Sequence, residues 1–365
     1  MIKPHVHWNS DLQVEPVVGR TLEDLLSTRP RRQELQGFEP IYSDIVDYIV
    51  RCTHLIWDRK NVGLIRTHYS EDCPMVSLGG KVVGAEAVVR NTLEALRAFP
   101  DRRPIAEEVI WSEDAPGVFL SSHRIASCAT HLGTDSVFGQ PRRNARGMVP
   151  VIADCVCREN RIIEEWLVRD YAQLARQCGI GPRELAARLA QDDMQGDPAR
   201  HGWLEEERKR VLSLEGNEPP PDHPAAAVAR ALRLALREDR YGEAAQVTSP
   251  SIEVQWPAGR RVIGRGGWVG CLLQLRTPLA NHRFIIDHWA ARPRPDGDVA
   301  IALRWWLTGR HVGAGVWGEP SGYDLLVLAI SHYRSRNERL LEDFTVIDEV
   351  GVMRQAAGGL GACRT

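Results

Sequence analysis

The amino-acid sequence contains the same pattern twice. Residues 161–170 read RIIEEWLVRD, and residues 339–348 read RLLEDFTVID, 178 positions later. Residues 81–84 read KVVG, and residues 261–264 read RVIG, 180 positions later. A nearly constant spacing through helix-like and strand-like segments indicates two copies of one domain, and such a repeat constrains the fold more than any single motif.

Length and composition are typical of a globular protein without nucleic-acid or membrane partners. A chain of 365 residues fits two domains of about 150 residues better than one core. The net charge of −2 offers no basic surface for nucleic acid or anionic lipid. No apolar run approaches the roughly 20 residues of a membrane span, and the first residues contain no apolar signal segment. The eight cysteines share no framework between the copies, so we expect reduced thiols and a cytoplasmic location.

Each copy shows the same order of elements: helices, a short hairpin, another helix and then a meander of long strands. This order predicts an α+β fold of two cone-like domains, each a curved antiparallel sheet wrapped around about three helices. The boundaries that we expect are an N-terminal extension over 1–39, a first domain over 40–180, a helical and Pro-rich linker over 181–222, and a second domain over 223–365.

The closing hairpin of the first copy carries a family resemblance. It runs from Asp154 through Arg161-Ile-Ile-Glu-Glu-Trp166 to Asp170 and resembles the SnoaL-like polyketide cyclases of the nuclear transport factor 2-like superfamily. The resemblance implies a small-molecule cyclase, isomerase or dehydratase that works on a carbonyl substrate without metal or cofactor. It also implies domains that pair through their sheets, hence a pseudo-dimer within the chain and a possible homodimer.

Asp154 occupies the position of the family's catalytic acid, and the spacing of 178 places His332 there in the second copy. Asp154 follows the apolar run 149–153, where burial would raise the pKa of a carboxyl group toward neutrality. His123, on the neighbouring long strand, is the candidate partner acid or oxyanion donor. The alternatives are a buried aspartate with structural hydrogen bonds and a structural histidine.

A competing hypothesis places catalysis in the second copy. His332 would then be the base, and Asp287 would orient it. The candidate substrate-binding residues of the two copies are aromatic or charged: Trp57, Tyr69, Trp111, Asp287, Trp289, Arg304 and Trp306. The alternative is that these side chains fill the cones or form the contact between the copies.

A third interpretation has no chemistry at all. The chain would then be a ligand-binding or assembly protein, and its interior would be lined by apolar groups alone. The polarity of the interior therefore discriminates between a catalyst and a binding module.

Overall fold

A computed structural model of the chain describes residue 17 and residues 21–134, 137–140, 145–196 and 202–361. The chain divides into two compact units. The first comprises residues 1–77, 81–167 and 292–295, and the second comprises 78–80, 168–291 and 296–365. No helix in the described ranges is long and apolar enough to cross a membrane.

The elements as far as residue 169 form the first sheet and its helices. They are, in chain order, α1 (Leu22–Leu26), α2 (Ile45–Trp57), α3 (Ile65–His68), β1 (Pro74–Ser77), β2 (Gly80–Val83), α4 (Ala85–Ala98), β3 (Arg103–Ala115), β4 (Val118–Thr130), β5 (Arg146–Arg158) and β6 (Arg161–Arg169). Tyr48 and Ile49 belong to the buried face of α2, and an Asp44 side chain caps that helix at its N-terminus.

The following elements repeat this order after three additional helices. They are α5 (Tyr171–Gln177), α6 (Pro182–Gln195), α7 (Gly202–Ser213), α8 (Ala226–Leu236), α9 (Tyr241–Ala244), β7 (Thr248–Trp256), β8 (Arg260–Ile263), α10 (Arg265–Arg276), β9 (Leu279–Pro293), β10 (Val299–His311), β11 (Asp324–Arg336), β12 (Arg339–Ile347) and α11 (Glu349–Ala356). The segment 181–222 thus contains the two helices α6 and α7, and it lies in the second unit.

Both sheets have six strands and the same strand order. The order is β2-β1-β6-β5-β4-β3 in the first and β8-β7-β12-β11-β10-β9 in the second, which confirms two α+β domains. One detail differs from the sequence-based expectation, because each sheet contains one parallel pair, β1 with β6 and β7 with β12. The chain passes through a helix and further strands between these partners, so the closing strand can lie alongside the first hairpin in parallel.

The closing hairpins turn in the same way. The turn residues Glu159 and Asn160 have φ values of 49° and 66°, and Asn337 and Glu338 have φ values of 48° and 61°. Positive φ at both central residues is the signature of the two-residue type I′ turn that matches strand twist. The spacing of 178 in the sequence is therefore also a structural equivalence of the two hairpins.

A glycine begins the helix that follows the short hairpin in each copy. Gly84 (φ 90°) precedes α4, and Gly264 (φ 87°) precedes α10. A Cβ atom at Gly84 would lie 2.4 Å from the carbonyl oxygen of Glu71, whereas at Gly264 the nearest atom, the Pro250 oxygen, would be 3.2 Å away. Both positions require the conformational freedom of glycine, and the first also requires the absence of a side chain.

We expect Gly84→Ala to destabilise the protein by about 2–3 kcal/mol, because it combines a left-handed backbone with a steric clash. Gly264→Ala should cost less. Gly117→Ala is the matched control, since Gly117 has a φ of 71° and nothing within 4 Å of its added Cβ. Chemical denaturation of the three variants measures these differences, and equal losses would contradict the role given to the Glu71 contact.

Candidate active site

The register of the first sheet separates the two catalytic candidates of the first copy. Ser122 lies opposite Asp154, and His123 lies opposite Ala153. Directly opposite residues of antiparallel strands share a face, and successive residues alternate. Asp154 and His123 therefore point to opposite faces of the sheet, and the expected pairing of these side chains is corrected.

His123 is on the face that α2 covers. Its Nδ1 atom lies 3.5 Å from the hydroxyl oxygen of Thr53 on that helix. Asp154 is 1% exposed and lies on the other face, away from α2. Successive side chains of β5 alternate between the two faces of the sheet, so Cys155 faces α2 and Asp154 does not.

The structure brings together three of the residues expected to line the second copy. Asp287 accepts hydrogen bonds from Nε of Arg304 and Nε1 of Trp306, both at 3.0 Å, and Arg210 of α7 lies 3.8 Å from it. Burial alone would raise the pKa of Asp287, but the two guanidinium groups and the indole N–H lower it to about 2. Asp287 is thus an ionised centre of this cluster and cannot accept a proton near neutral pH.

His332 shares a sheet face with this cluster. It lies opposite Ala302 on β10 and opposite Phe344 on β12, and it is 1% exposed. Residues 302, 304 and 306 alternate onto this same face. The side chain of Asp287 accepts its hydrogen bonds from Arg304 and Trp306. Its expected role, to orient His332, has no contact among these to support it and stays a prediction.

Tyr69 and Trp111 lie within the first unit. The Tyr69 hydroxyl group donates a hydrogen bond to Oε2 of Glu165 at 3.1 Å, and both side chains are buried. Trp111 is opposite Ser121, and its ring centroid is 6.2 Å from that of Phe119. These contacts place Tyr69 beside an acidic group. Trp111 has a cationic neighbour as well, because the guanidinium carbon of Arg292 lies 3.6 Å from its ring centroid.

Trp57 and Trp289 make surface and packing contacts. The guanidinium carbon of Arg102 lies 4.3 Å from the ring centroid of Trp57, which is half-buried at the end of α2. The Trp289 ring lies 4.4 Å from that of His223. A substrate role for either tryptophan stays a prediction.

A polar network that the sequence-based assignment missed lies on the helix-facing side of the second sheet. Its residues come from α10, β10, β11 and β12, and each is at most 2% exposed. They are Trp268, Trp305, Ser331, Tyr333, Asp343 and Thr345. The register explains why four of them meet, since Tyr333 lies opposite Asp343 and Ser331 lies opposite Thr345.

Hydrogen bonds connect this network to Asp343. Nε1 of Trp305 donates to Oγ of Ser331 at 3.0 Å, and the hydroxyl groups of Ser331 and Thr345 are 2.7 Å apart. The Thr345 hydroxyl group donates to Oδ1 of Asp343 at 2.6 Å. Nε1 of Trp268 donates to Oδ2 of Asp343 at 2.8 Å, so both carboxyl oxygens are held in position.

The electrostatics of Asp343 are those of an acid–base group. Burial raises its pKa to about 7, against the partial opposition of the hydrogen bonds from Thr345 and Trp268. Tyr333, across the strand pair, has a pKa well above its usual value of 10, because it too is buried. The hydroxyl groups of Ser331 and Thr345 lower this pKa to a smaller extent, so the phenol is close to the same hydroxyl groups that lead to Asp343.

The first copy retains the carboxyl group but not the network. Glu165 is equivalent to Asp343 at the spacing of 178, and it accepts a hydrogen bond from Tyr69. The registers and the helix-start glycines define the other equivalences. The residues that replace Trp268, Trp305, Ser331, Tyr333 and Thr345 are, in that order, Val88, Ile125, Ala153, Cys155 and Leu167. The polar network is therefore specific to the second copy.

The sequence contained a signal for this site. Glu165 and Asp343 occupy the same position of the decapeptides that reveal the repeat, and both are buried on the closing strand. An acidic residue at one buried strand position in both copies is a stronger indication than an acid in one copy alone. The hydrogen-bonded chain itself depends on which residues face one another, and that information comes from the register.

Comparison with known proteins gives neighbours among solved structures. No family model matches the chain, and no curated protein matches it. AclR from Streptomyces galilaeus, described as "a putative hydroxylase", is 22% identical with a TM-score of 0.32, over 37% of this chain and 98% of that one. IdmH from Streptomyces antibioticus, described as "a putative polyketide cyclase", is 17% identical with a TM-score of 0.32, over 37% and 98%.

A further neighbour, from Jannaschia sp. CCS1, is described as a "Putative SnoaL-like polyketide cyclase". It is 14% identical with a TM-score of 0.30, over 38% of this chain and 95% of that one. Little more than a third of this chain thus spans nearly the whole of each neighbour. The two six-stranded sheets establish the fold class independently of these likenesses.

The raised pKa of Asp343 predicts a pH dependence of stability. In the unfolded chain the group ionises near 3.8, whereas in the folded protein it ionises near 7. Between these pH values Asp343 is ionised in the unfolded chain but protonated in the folded protein. The free energy of unfolding therefore falls as pH rises, by ~1.4 kcal/mol per pH unit. Asp343→Asn removes this loss. Urea denaturation should therefore show that the free energy of unfolding of the variant, relative to that of wild type, increases from pH 4.5 to pH 7.

Asp287→Asn is the matched control for this measurement. Because the pKa of Asp287 is lowered to about 2, its stabilising contribution is lost only as pH falls below the range of the experiment. The control variant should therefore be less stable than wild type by a nearly constant amount. Parallel curves for Asp343→Asn and wild type would contradict the assigned pKa.

Proposed function

We propose that the chain is an acid–base catalyst of the cyclase, isomerase or dehydratase type, acting on a small carbonyl compound through Asp343 and Tyr333. The observation that supports this most is the position of a buried carboxyl group, with a pKa of about 7, directly opposite a buried phenol on the neighbouring strand. A polar interior of this kind favours a catalyst over a module that only binds apolar ligands.

In the proposed reaction, Asp343 removes a proton from the carbon next to a carbonyl group. The electron pair of the broken C–H bond moves to the carbonyl oxygen, where the Tyr333 hydroxyl group donates a hydrogen bond to the developing negative charge. Return of the proton to another carbon gives isomerisation. Attack of the enolate carbon on a second carbonyl group gives an aldol product, and loss of water from it gives a dehydration.

The network suits Asp343 to this role. A pKa near neutral pH leaves the carboxylate form populated while keeping it basic enough to take a proton. Thr345 and Trp268 each occupy one lone pair of the carboxylate, and the remaining lone pairs are available to substrate. The chain through Thr345 and Ser331 to Trp305 fixes the carboxylate orientation, which reduces the reorganisation needed during reaction.

Substrate access is proposed to occur through α10. This helix contains Gly266, Gly267 and Gly270, and each glycine lowers helix stability by about 1 kcal/mol relative to alanine. The first turn, which contains two of these glycines, frays more readily than an alanine-containing turn, and Trp268, which contacts Asp343, ends that turn. Displacement of this turn would expose the carboxylate to a ligand.

The substrate class is inferred from the resemblance of the closing hairpin to SnoaL-like cyclases. In the second sheet His332 lies on the face opposite to that of Asp343, and in the first sheet Asp154 lies on the face opposite to that of Glu165. Asp154 and His332 therefore form competing hypotheses. Each is testable by the same measurement, with Asp154→Asn and His332→Ala beside Asp343→Asn.

The proposed chemistry predicts enzyme-dependent exchange of α-protons. Aryl ketones and linear diketones incubated with the protein in deuterated water should lose their α-proton signals in NMR spectra faster than in buffer. We expect Asp343→Asn to lower this rate 100-fold or more, and Tyr333→Phe to lower it about 10- to 100-fold. Asp154→Asn and His332→Ala should retain most of it.

Loss of exchange in Asp154→Asn but not in Asp343→Asn would return the site to the first copy. Loss in His332→Ala alone would favour the histidine hypothesis. Ligands that raise the melting temperature without any exchange across the panel would indicate a binding protein. Tyr69→Phe is a useful control, because it disturbs the equivalent carboxyl group of the first copy and should leave the exchange rate unchanged.

A further inference from the structure

A second concave site lies in the second unit, outside the polar network. It is a cavity of about 420 Å³ between α8, the segment 243–247 and the turn from β11 to β12. Its apolar lining comes from Ala227, Ala231, Leu234, Ala244 and Val247. A volume of this size lies within the range of small-molecule sites.

The first copy shows what fills the equivalent space there. Tyr42 packs against Tyr48, with ring centroids 4.9 Å apart, and its hydroxyl group lies 2.6 Å from Nε2 of His68. Phe38 lies 5.0 Å from the Tyr48 ring, and Glu39 accepts a hydrogen bond from Asn160 at 3.0 Å. An aromatic and acidic segment thus occupies this position in the first unit.

The residues around the two spaces are equivalent in the repeat. Lys60 and Asp239, both with positive φ after their helices, set a spacing of 179 between α2 and α8. The closing turns set the spacing of 178. The corresponding pairs are Tyr48 and Ala227, Arg51 and Arg230, Cys52 and Ala231, His68 and Val247, and Asn160 and Glu338.

The substitutions explain why the second space is open. Alanine replaces Tyr48 and Cys52, and valine replaces His68, so the side chains that touch Tyr42 and Phe38 in the first copy are smaller in the second. The smaller side chains leave the space between α8 and the closing turn open. A ligand that covers these apolar walls is favoured, because it removes them from water.

Four charged side chains line the cavity: Arg230, Arg339, Glu243 and Glu338. Glu243 is paired with Arg240 at 2.7 Å, and Arg339 donates to the carbonyl oxygen of Gln246 at 2.8 Å. Arg51, the counterpart of Arg230, binds the carbonyl oxygens of Leu26 and Ser27 at 2.8 and 2.9 Å.

The arginine at this position therefore binds acceptor oxygens. In the first copy it donates hydrogen bonds to carbonyl oxygens of the segment that precedes α2. In the second copy Arg230 is exposed at the rim of the cavity. An anionic group of a ligand would be the corresponding acceptor, because guanidinium groups bind carboxylates in bidentate geometry.

We propose that this cavity binds a small aromatic acid, whose ring takes the place that Tyr42 has in the first copy and whose carboxylate binds Arg230. The site is separate from Asp343, and the proposal does not depend on the proposed reaction. Glu338, which also lines the cavity, disfavours ligands that have an anionic group at each end.

The test uses the full chain and para-hydroxyphenylpropionate as the probe, with para-ethylphenol as its uncharged analogue. We expect saturation-transfer NMR and calorimetry to give a Kd on the order of 0.1–1 mM for the acid. Ala227→Tyr, which introduces the residue of the first copy, should weaken binding at least tenfold. Arg230→Ala should weaken binding of the acid but leave that of para-ethylphenol unchanged.

Arg237→Ala is the matched control, because Arg237 is an exposed arginine at the end of the same helix that does not line the cavity. It should bind the acid as wild type does. Absence of binding to wild type at about 5 mM acid, or equal affinity of wild type and Ala227→Tyr, would overturn the proposal. Equal losses in Arg230→Ala and Arg237→Ala would overturn the role of Arg230.

Discussion

The pairing register of the long strands is the constraint on which the candidate active site depends. In each sheet a shift of one residue exchanges the side chains that face the helices with those that face away. The register therefore places Cys155 and Tyr333, rather than Asp154 and His332, on the helix-facing side. It also brings Tyr333 opposite Asp343 and Ser331 opposite Thr345, which creates the hydrogen-bonded network.

Desolvation gives this network its chemical character. Water would stabilise an ionised Asp343, and its removal raises the pKa to about 7 despite two hydrogen bonds to the carboxyl group. Half-buried Asp287 shows the opposite outcome, because guanidinium groups lower its pKa to about 2. Two aspartates in one domain thus differ in charge at neutral pH according to their burial and their partners.

The sequence predicted the fold well because the repeat supplied two independent views of one pattern. The order of elements and the repeated KVVG, RVIG and closing-hairpin segments are all visible as short local signals. The site was less predictable, since the positions of Asp154 and Cys155 differ by one residue, and a degenerate motif does not set the register. The parallel pairs of β1 with β6 and of β7 with β12 depend on contacts that no local pattern encodes.

The first copy acts as an internal control for the meaning of the network in the second. A buried polar group costs free energy unless it is fully bonded, and a chain of such groups is costly to leave incomplete. The same backbone folds in the first copy with Val88, Ile125, Ala153 and Leu167 at the equivalent positions. The fold therefore does not require the polar network. Its presence around Asp343 therefore supports the role proposed for that carboxyl group.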